Sequence, residues 1–254
     1  MREWPHVRHR VLSQNMKAIA IIPARLASTR LPRKMLRSIA GQPLIGLVYS
    51  AVRASELLAD VIIATDSDEI MDVCRQNNWN ARMTSAEHRS GTDRVHEVAQ
   101  SVTADVYVNV QGDEPLTRPE HMSSLLQLMQ DDSAQVGTLK TPAAAIDKDN
   151  PGAVKVVTDA SGRALYFSRA TIPHDRDSAG CRYYKHLGFY AYRKTALDRF
   201  VQLGESSLER TERLEQLRFL ENGIPIHVAE TPFDTIGVDT EEDLRRVEAI
   251  LKAR

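Results

Sequence analysis

The chain has 254 residues, a hydrophobic content of 42% and a net charge of −1 from 33 basic and 34 acidic residues. This composition is typical of a globular protein and argues against a fibrous or disordered chain. Because the charges nearly balance, no overall field favours nucleic acid as a partner, and no apolar stretch approaches the roughly 20 residues that would support membrane insertion.

The first 15 residues are basic and lack the apolar segment of a secretory signal. We expect residues 1–15 to be a disordered leader and residues 16–254 to form a single domain. Residues 1–55 contain ten Lys or Arg and one acid, Glu3, which predicts a basic site near the N-terminus. The two cysteines, Cys74 and Cys181, do not suggest a disulfide framework or a zinc site, and they fit a reducing cytoplasm.

Three buried strands are predicted in the first half of the chain. Residues 18–22 form an isoleucine-rich apolar run, which is typical of a strand covered on both faces. Residues 61–65 and 106–110 repeat this pattern. Such strands, separated by helices, predict an α/β fold with a mostly parallel sheet flanked by helices.

Helix signals follow each of these strands. Apolar residues at helical spacing begin after residue 43, with Pro43 expected in the first turn. Ser67 is predicted as the N-cap of a second helix, and Thr117 is predicted to form a capping box with Glu120 at the start of a third.

The second half of the chain is less regular. Short strands are predicted at residues 136–139, 154–157, 164–167, 187–192 and 226–228. Several of them should be antiparallel, which gives an antiparallel subregion embedded in the single domain. Residues 172–182 read as a mobile surface loop, and Thr240 is predicted to cap the last helix.

The first loop, IPARLASTRLPRK, carries three positive charges near the carboxyl end of the first strand. It lacks the glycine patterns of dinucleotide-binding loops and P-loops. Arg25, Arg30 and Lys34 suit a triphosphate, and ligands of open α/β sheets bind at this edge. The same residues could also be ordinary solvated surface charges, and their spacing leaves both interpretations open.

An acidic pair follows the third strand in the segment NVQGDEP, residues 109–115. Asp113 could hold Mg²⁺, which prefers one or two carboxylates together with substrate phosphates. Asp239, in the segment GVDTEEDL, could complete the site. Each aspartate alone is equally well explained as a turn or helix-start residue, so their pairing does not follow from spacing.

Eight segments in order resemble the 3-deoxy-manno-octulosonate (KDO) cytidylyltransferase family. They are IIPARLASTRLPRKML, ATDSDEI, HRSGTDR, NVQGDEP, GRALYFSRATIP, YKHLGFYAYR, LEQLRFLENG and GVDTEEDL, and they cover nearly all of residues 17–251. The resemblance implies a nucleotide-diphospho-sugar transferase-like, Rossmann-like fold. It also implies transfer of CMP from CTP to KDO with release of pyrophosphate, a Mg²⁺ cofactor, a cytoplasmic homodimer formed through the antiparallel subregion, and a role in lipopolysaccharide or capsule synthesis.

The resemblance also implies roles for individual residues. Arg25, Arg30 and Lys34 would hold the triphosphate, and Ser90 and Gly91 would read the cytosine, with His88 and Arg94 shaping that segment. Asp113 and Asp239 would bind the metal, and Arg25, Lys34 and Asp113 would be catalytic. The sugar would contact Gln111, Arg169, His186, Tyr190, Glu215 and Gln216. No serine or cysteine nucleophile is expected, because the anomeric hydroxyl of the sugar attacks the α-phosphorus directly.

Two positions depart from the family pattern. Arg33 stands where the family usually has glycine, so a positive φ there would be strained, and its side chain should face solvent or strengthen phosphate binding. His174 stands where the family commonly has tryptophan. A related acidic sugar, such as 8-amino-KDO or a sialic acid, therefore remains an alternative substrate. A non-catalytic nucleotide-binding subunit is a further alternative, which loss of Lys34, Asp113 or Asp239 would favour; all three are present.

Overall fold

The computed structural model of the protein describes residues 16–28 and 30–253. The strands are β1 (Ala18–Ala24), β2 (Ser38–Ile39), β3 (Gln42–Pro43), β4 (Asp60–Thr65), β5 (Ala81–Met83), β6 (Val106–Asn109), β7 (Val136–Pro142), β8 (Lys155–Thr158), β9 (Ala164–Ser168), β10 (Tyr184–Tyr192) and β11 (Ile226–Glu230). The helices are α1 (Leu44–Arg53), α2 (Asp68–Gln76), α3 (Gly91–Ser101), α4 (Pro119–Leu128), α5 (Ala145–Lys148), α6 (Lys194–Gln202), α7 (Ser207–Glu212), α8 (Leu217–Glu221) and α9 (Glu241–Lys252), with a 3₁₀ turn at Lys34–Leu36. The predicted leader, residues 1–15, lies outside the described residues, as does Thr29 in the first loop.

One large mixed sheet has the strand order β11-β7-β10-β6-β1-β4-β5. In its first half β1 lies between β4 and β6, parallel to both, and β5 extends the edge parallel to β4. Strands β1, β4 and β6 are the predicted buried strands, and their positions are confirmed, whereas β5 was not predicted. Their apolar runs fit because helices cover both faces of this part of the sheet.

The antiparallel subregion is also present. Strand β10 runs antiparallel to β6, β7 and β8, and β8 pairs antiparallel with β9, while β11 joins β7 in parallel. A bulge interrupts the pairing of β10 with β7 between Leu187 and Tyr190. This confirms a mixed α/β sheet with an embedded antiparallel part.

Two cores cover the opposite faces of the sheet. Along β1 the side chains of Ala20 and Ile22 enter the core formed with α1, α2 and α4, whereas those of Ile19 and Ile21 enter the core formed with α3, α6 and α8. This alternation follows from the two-residue period of a strand. No helix in the described part of the chain is long and apolar enough to cross a membrane.

A third, smaller core packs α9 against the β2–β3 hairpin. It contains Leu31 and Ile39 from the first loop region and Val238, Leu244 and Val247 from the end of the chain. The residues between 30 and 40 are therefore held beside residues 238 and 239, although the two segments are far apart in sequence.

The predicted helix starts are partly correct. Ser67 caps α2, and Thr240 caps α9 in a capping box with Asp243. The predicted cap at Thr117 is wrong: α4 begins at Pro119, and the Thr117 hydroxyl donates to the carbonyl of Glu114 at 2.6 Å. That hydroxyl closes the turn after β6, and the N-cap position of α4 is occupied by Arg118. Pro43 likewise lies just before α1 and not in its first turn.

The predicted surface loop at residues 172–182 has no regular secondary structure and is largely exposed. His174 is exposed within it and does not line the cavity described below.

Candidate active site

A cavity of about 640 Å³ lies beyond the carboxyl end of β6 and against β10. Its lining includes residues from both predicted halves of the site: Arg30, Gln111, Asp113, Arg169, His186, Tyr190, Glu215, Gln216 and Asp239. The predicted residues Arg25, Lys34, Ser90 and Gly91 do not line it. The fold thus brings one of the three predicted phosphate residues, both predicted metal ligands and all six predicted sugar residues to one cavity.

Lys34 joins the two predicted metal ligands. Its Nζ donates to Asp113 Oδ2 at 2.5 Å and to Asp239 Oδ1 at 3.0 Å. Burial alone would lower the pKa of Lys34, but the two aspartates outweigh it and raise the pKa above its usual value. Arg30 completes the cluster, because its guanidinium lies 2.9 Å from Asp239 Oδ2.

A backbone hydrogen bond accounts for the meeting of the two aspartates. Val238 N donates to the carbonyl of Asp113 at 2.8 Å, which fixes residue 239 beside the loop after β6. Val238 is itself fully buried in the third core. The pairing of Asp113 with Asp239 therefore depends on tertiary packing.

The two carboxylates form a donor set that suits Mg²⁺. Both accept hydrogen bonds from the same ammonium group, so their oxygens converge on one cation. Residues 16–28 and 30–253 contain no cluster of three or more His, Cys, Asp or Glu side chains able to hold a metal. A two-carboxylate site fits a metal ion whose other ligands are phosphate oxygens and water.

Arg33 adopts the left-handed conformation, with φ 55° and ψ 34°. Arg33 therefore has the positive φ that would be strained in a residue other than glycine. The Arg33 side chain is largely exposed and forms an ion pair with Glu69 in the first turn of α2. It faces solvent, the first of the two outcomes expected for it.

Arg25 connects the first loop with the predicted cytosine segment. Its guanidinium donates to the carbonyl of His88 and, at 3.5 Å, to that of Ser90. Ser90 is the N-cap of α3, and its hydroxyl accepts a hydrogen bond from Asp93 N at 3.1 Å. Gly91 is the first residue of that helix, so the HRSGTDR motif is a helix start as well as a loop.

Arg94 lies in the protein interior beside this segment. It is fully buried, forms an ion pair with Asp66 at 2.7 Å and donates to Thr84. His88 is held by Glu97. Both residues contact this segment or its neighbours, and their role in shaping it stays a prediction.

His186 and Tyr190 form one wall of the cavity. The ring of His186 lies 5.4 Å from that of Tyr190 and 4.9 Å from that of Phe167, and its Nε2 lies 3.0 Å from the hydroxyl of Thr138. Burial lowers the pKa of His186 to about 3. The imidazole is therefore neutral and is suited to hydrogen bonding without charge.

Arg169 lies at the rim of the cavity, where it forms hydrogen bonds with the surrounding backbone. Its guanidinium donates to the carbonyls of Glu212 at 2.8 Å, Pro151 at 3.0 Å and Arg213 at 3.4 Å. Because a guanidinium has five N–H groups, it retains donors for a ligand. The carbonyl of Arg169 in turn accepts from the buried ammonium of Lys155 at 2.7 Å.

Glu215 and Gln216 occupy the turn that precedes α8. Burial raises the pKa of Glu215, and hydrogen bonds from Thr92 and Ser90 act in the opposite direction. Gln216 is 4% exposed, and its Nε2 is buried without a hydrogen-bond partner in the described part of the chain. An unpaired buried donor in the wall of a cavity indicates a place for a ligand acceptor.

Sequence reasoning did not single out Glu114 and Lys185, which also line the cavity. Glu114 accepts from the hydroxyl of Thr235, and burial, with the charge of Asp113, raises its pKa to about 8. Lys185 lies 2.9 Å from Asp234 and donates to the carbonyl of Thr235 at 3.0 Å. Glu114 follows Asp113 in the NVQGDEP motif, and Lys185 precedes His186 in the YKHLGFY motif. This adjacency to predicted site residues could have identified both.

The chain is similar to known cytidylyltransferases over most of its length. A family model described as Cytidylyltransferase matches residues 19–230. The chain is 68% identical to the 3-deoxy-manno-octulosonate cytidylyltransferase of Koribacter versatilis over 98% of this chain and 96% of that protein. It is 58% identical to the enzyme of the same name from Acidobacterium capsulatum over 94% of this chain and 98% of that protein.

One solved structure gives the same grouping, and a more distant one shares the fold. The structure of CMP:2-keto-3-deoxy-manno-octonic acid synthetase complexed with CTP matches with a TM-score of 0.90 and 42% identity, covering 93% of this chain and 99% of that one. A Bacillus anthracis protein described as a putative glucose-1-phosphate thymidylyltransferase matches with a TM-score of 0.66 at 15% identity, covering 93% of this chain and 96% of that one, which shows the shared fold alone.

Proposed function

Because the chain belongs to the 3-deoxy-manno-octulosonate cytidylyltransferase family, we propose that it transfers CMP from CTP to KDO and releases pyrophosphate. The observation that carries this proposal is the cavity that runs from Asp113 and Asp239, both bonded to Lys34, to the wall formed by His186 and Tyr190. Such a cavity suits two substrates that must meet, one carrying phosphates and the other a polar sugar.

The basic residues bind and orient the triphosphate. Arg30 and Lys34 offer positive charge beside Asp239, and Arg25 holds the first loop against the Ser90 segment. The anomeric hydroxyl of KDO attacks the α-phosphorus, a new P–O bond forms, and the bond to the β-phosphate oxygen breaks. Phosphoryl chemistry of this kind depends mainly on positioning and electrostatics, so no covalent protein intermediate is needed.

Asp113 and Asp239 would hold Mg²⁺, which when bound supplies positive charge to the phosphates as negative charge develops. Their convergence on the Lys34 ammonium supports this assignment. Chelation of the metal is expected to abolish turnover, and added Mg²⁺ is expected to restore it.

The acidic sugar is held by neutral and cationic donors. Arg169 has remaining N–H groups for the carboxylate, and Gln216 has an unpaired amide donor in the wall. The neutral imidazole of His186 contributes hydrogen bonding to the hydroxyls without competing for the carboxylate by charge. Gln111, Tyr190 and Glu215 complete the contacts that we assign to the sugar.

We also propose that the protein works in the cytoplasm as a homodimer and supplies lipopolysaccharide or capsule synthesis. The dimer proposal is supported by two exposed apolar side chains in the antiparallel part of the molecule, Ile146 in α5 at 72% and Leu165 in β9 at 62%. Light scattering of the purified protein tests it: a mass of one chain would contradict it.

The activity is tested by Mg²⁺-dependent release of pyrophosphate from CTP, with KDO, 8-amino-KDO and N-acetylneuraminic acid measured side by side. Rapid release with KDO alone is the expected result. Release only with another acidic sugar would support the same reaction with a different substrate. No release of pyrophosphate with any of the three would favour a non-catalytic nucleotide-binding protein.

A further inference from the structure

Thr92 contacts the sugar side of the site without lining the cavity. It lies in the first turn of α3, is fully buried, and its Oγ1 donates to Glu215 Oε1 at 2.7 Å. The two residues are 123 positions apart in sequence. The cavity lining includes Glu215 but not Thr92, so Thr92 would act on a ligand only through residues that line the cavity.

A second contact links Thr92 to the same wall. Its Oγ1 lies 3.4 Å from the hydroxyl of Tyr192, whose ring stacks on that of Tyr190 at 5.7 Å with an interplanar angle of 9°. A threonine hydroxyl has one proton and two lone pairs. Donation to the Glu215 carboxylate at the shorter distance leaves the oxygen able to accept from Tyr192.

The orientation and charge of Glu215, the partner of Thr92, depend on its hydrogen bonds. Burial raises the pKa of Glu215, and the hydrogen bonds from Thr92 and Ser90 oppose that rise. A buried carboxylate that loses such a donor is left with an uncompensated acceptor. Removing the Thr92 hydroxyl should therefore change both the orientation and the ionisation of Glu215.

Thr92 also lies two residues after Ser90, whose carbonyl receives a hydrogen bond from Arg25 of the first loop. The first turn of α3 is thus held between the proposed nucleotide residues on one side and Glu215 on the other. The backbone of this turn is fixed independently by the capping box of Ser90 and Asp93. A change of the Thr92 side chain should leave the nucleotide side in place.

We propose that Thr92 is a positioning residue that holds Glu215 in its sugar-contacting orientation and so sets the KM for the acidic sugar. This inference rests on the proposed function. Thr92 would contact neither substrate, and its substitution should affect binding of the sugar but not binding of CTP.

The test compares Thr92→Val with Thr92→Ser and with the control Thr231→Val. Thr231 is 1% exposed and does not line the cavity, and within residues 16–28 and 30–253 its hydroxyl accepts only a 3.3 Å hydrogen bond from Phe233 N. We expect Thr92→Val to raise the KM for KDO about tenfold, the effect of losing one charge-assisted hydrogen bond. The KM for CTP should stay within about twofold of the wild-type value, and Thr92→Ser should restore the KM for KDO.

A double-mutant cycle gives a readout that a general structural defect would not reproduce. Glu215→Ala alone should raise the KM for KDO, and adding Thr92→Val to it should cause no further rise, because the partner is already absent. Additive effects of the two substitutions would overturn the inference, as would an equal rise in the KM for CTP or a failure of serine to rescue.

Two further outcomes are distinguishable. If wild-type protein releases no pyrophosphate with any acidic sugar, the proposed function fails, and this inference fails with it. If the wild type is active and Thr92→Val does not fold, Thr92→Ala carries the same comparison, and a KM for KDO within twofold of the wild-type value in that variant overturns the role of Thr92 alone.

Discussion

Lys34 donates a 2.5 Å hydrogen bond to Asp113, a residue 79 positions later in the chain. The Lys34 side chain is 10% exposed, and its second bond to Asp239 gives the ammonium two carboxylate partners. The charge of the cluster is therefore set by a cation and two anions that are brought together only by folding. Removing one carboxylate should impair the chemistry more than the fold, because Lys34 keeps a partner in Asp239.

Asp113→Asn is expected to lower the rate of pyrophosphate release by about 100-fold or more, since it removes a proposed metal ligand while keeping the side-chain size. The melting temperature should change by only a few degrees, because the Asp113 side chain is 26% exposed and lies outside the apolar cores. Steady-state rates and thermal melts of the same preparation measure both effects.

Asp132→Asn is the matched control for this substitution. Asp132 is fully exposed, and among the residues that the structure describes it forms only a 3.5 Å contact with Arg193. The variant should therefore retain the wild-type rate. Near-normal turnover of Asp113→Asn with an unchanged Mg²⁺ requirement would remove Asp113 from the metal site.

Arg33→Gly is expected to raise the free energy of unfolding by up to about 1 kcal/mol, because the left-handed conformation costs a non-glycine residue about that amount. The substitution also removes the ion pair with Glu69, but both side chains are substantially exposed, and such pairs contribute about 1 kcal/mol or less. Urea denaturation measures the change.

Glu69→Gln separates the two contributions, because it removes the ion pair and leaves the backbone of Arg33 unchanged. It should lower the free energy of unfolding slightly. If Arg33→Gly destabilises the protein by more than Glu69→Gln does, then the conformation of Arg33 is not strained and the argument from its φ is wrong.

The sequence predicted those elements whose signals are local. The β1, β4 and β6 strands followed from continuous apolar runs, and Ser67 and Thr240 followed from their capping patterns. The start of α3 could also have been predicted, because Ser90 and Asp93 have capping-box spacing. The error at Thr117 arose because the same residue type that caps helices also closes turns.

Contacts that depend on tertiary packing were not predictable in this way. Asp113 meets Asp239 through a backbone hydrogen bond and a buried valine at position 238, neither of which leaves a pattern in the sequence. The resemblance to a family supplied the pairing, whereas spacing could not. The hydrogen bonds of Arg169 and Lys155 to main-chain carbonyls have no sequence signal, because every residue carries a carbonyl.

Lys155→Met is expected to lower the free energy of unfolding by about 2–4 kcal/mol, since it leaves buried polar groups without partners. Lys155 is fully buried, and its ammonium donates to the carbonyls of Asn150 at 2.8 Å, Ala153 at 2.7 Å and Arg169 at 2.7 Å. All three of these residues line the cavity. The KM for KDO should therefore rise as well, measured at a temperature where the variant remains folded.

Lys252→Met controls for the loss of a lysine charge. Lys252 is 65% exposed, and in the described part of the chain it pairs only with Glu248 on the same helix. Its substitution should change the free energy of unfolding by less than about 0.5 kcal/mol. Equal destabilisation by the two variants would mean that the carbonyl contacts of Lys155 contribute little.

His186 gives the protein a pH-dependent stability with a defined sign. Its pKa in the folded state is about 3, below the value of 6.5 for an exposed histidine, because burial disfavours the charged ring. Between these two values the unfolded chain binds a proton that the folded protein does not. The contribution of His186 to stability is therefore full above pH 6.5 and falls as the pH is lowered toward 3.

His186→Gln removes this titration and allows its size to be measured. Between pH 7.5 and pH 5 the wild type should lose about 2 kcal/mol of unfolding free energy relative to the variant, from the linkage of one proton. Urea denaturation of both proteins at the two pH values gives the difference, with His174→Gln, at an exposed position outside the cavity, as the control. A difference that does not change with pH would mean that the folded protein protonates His186 as readily as the unfolded chain does. The imidazole would then become a cation below about pH 6.5, where it would compete with Arg169 for the carboxylate of the sugar.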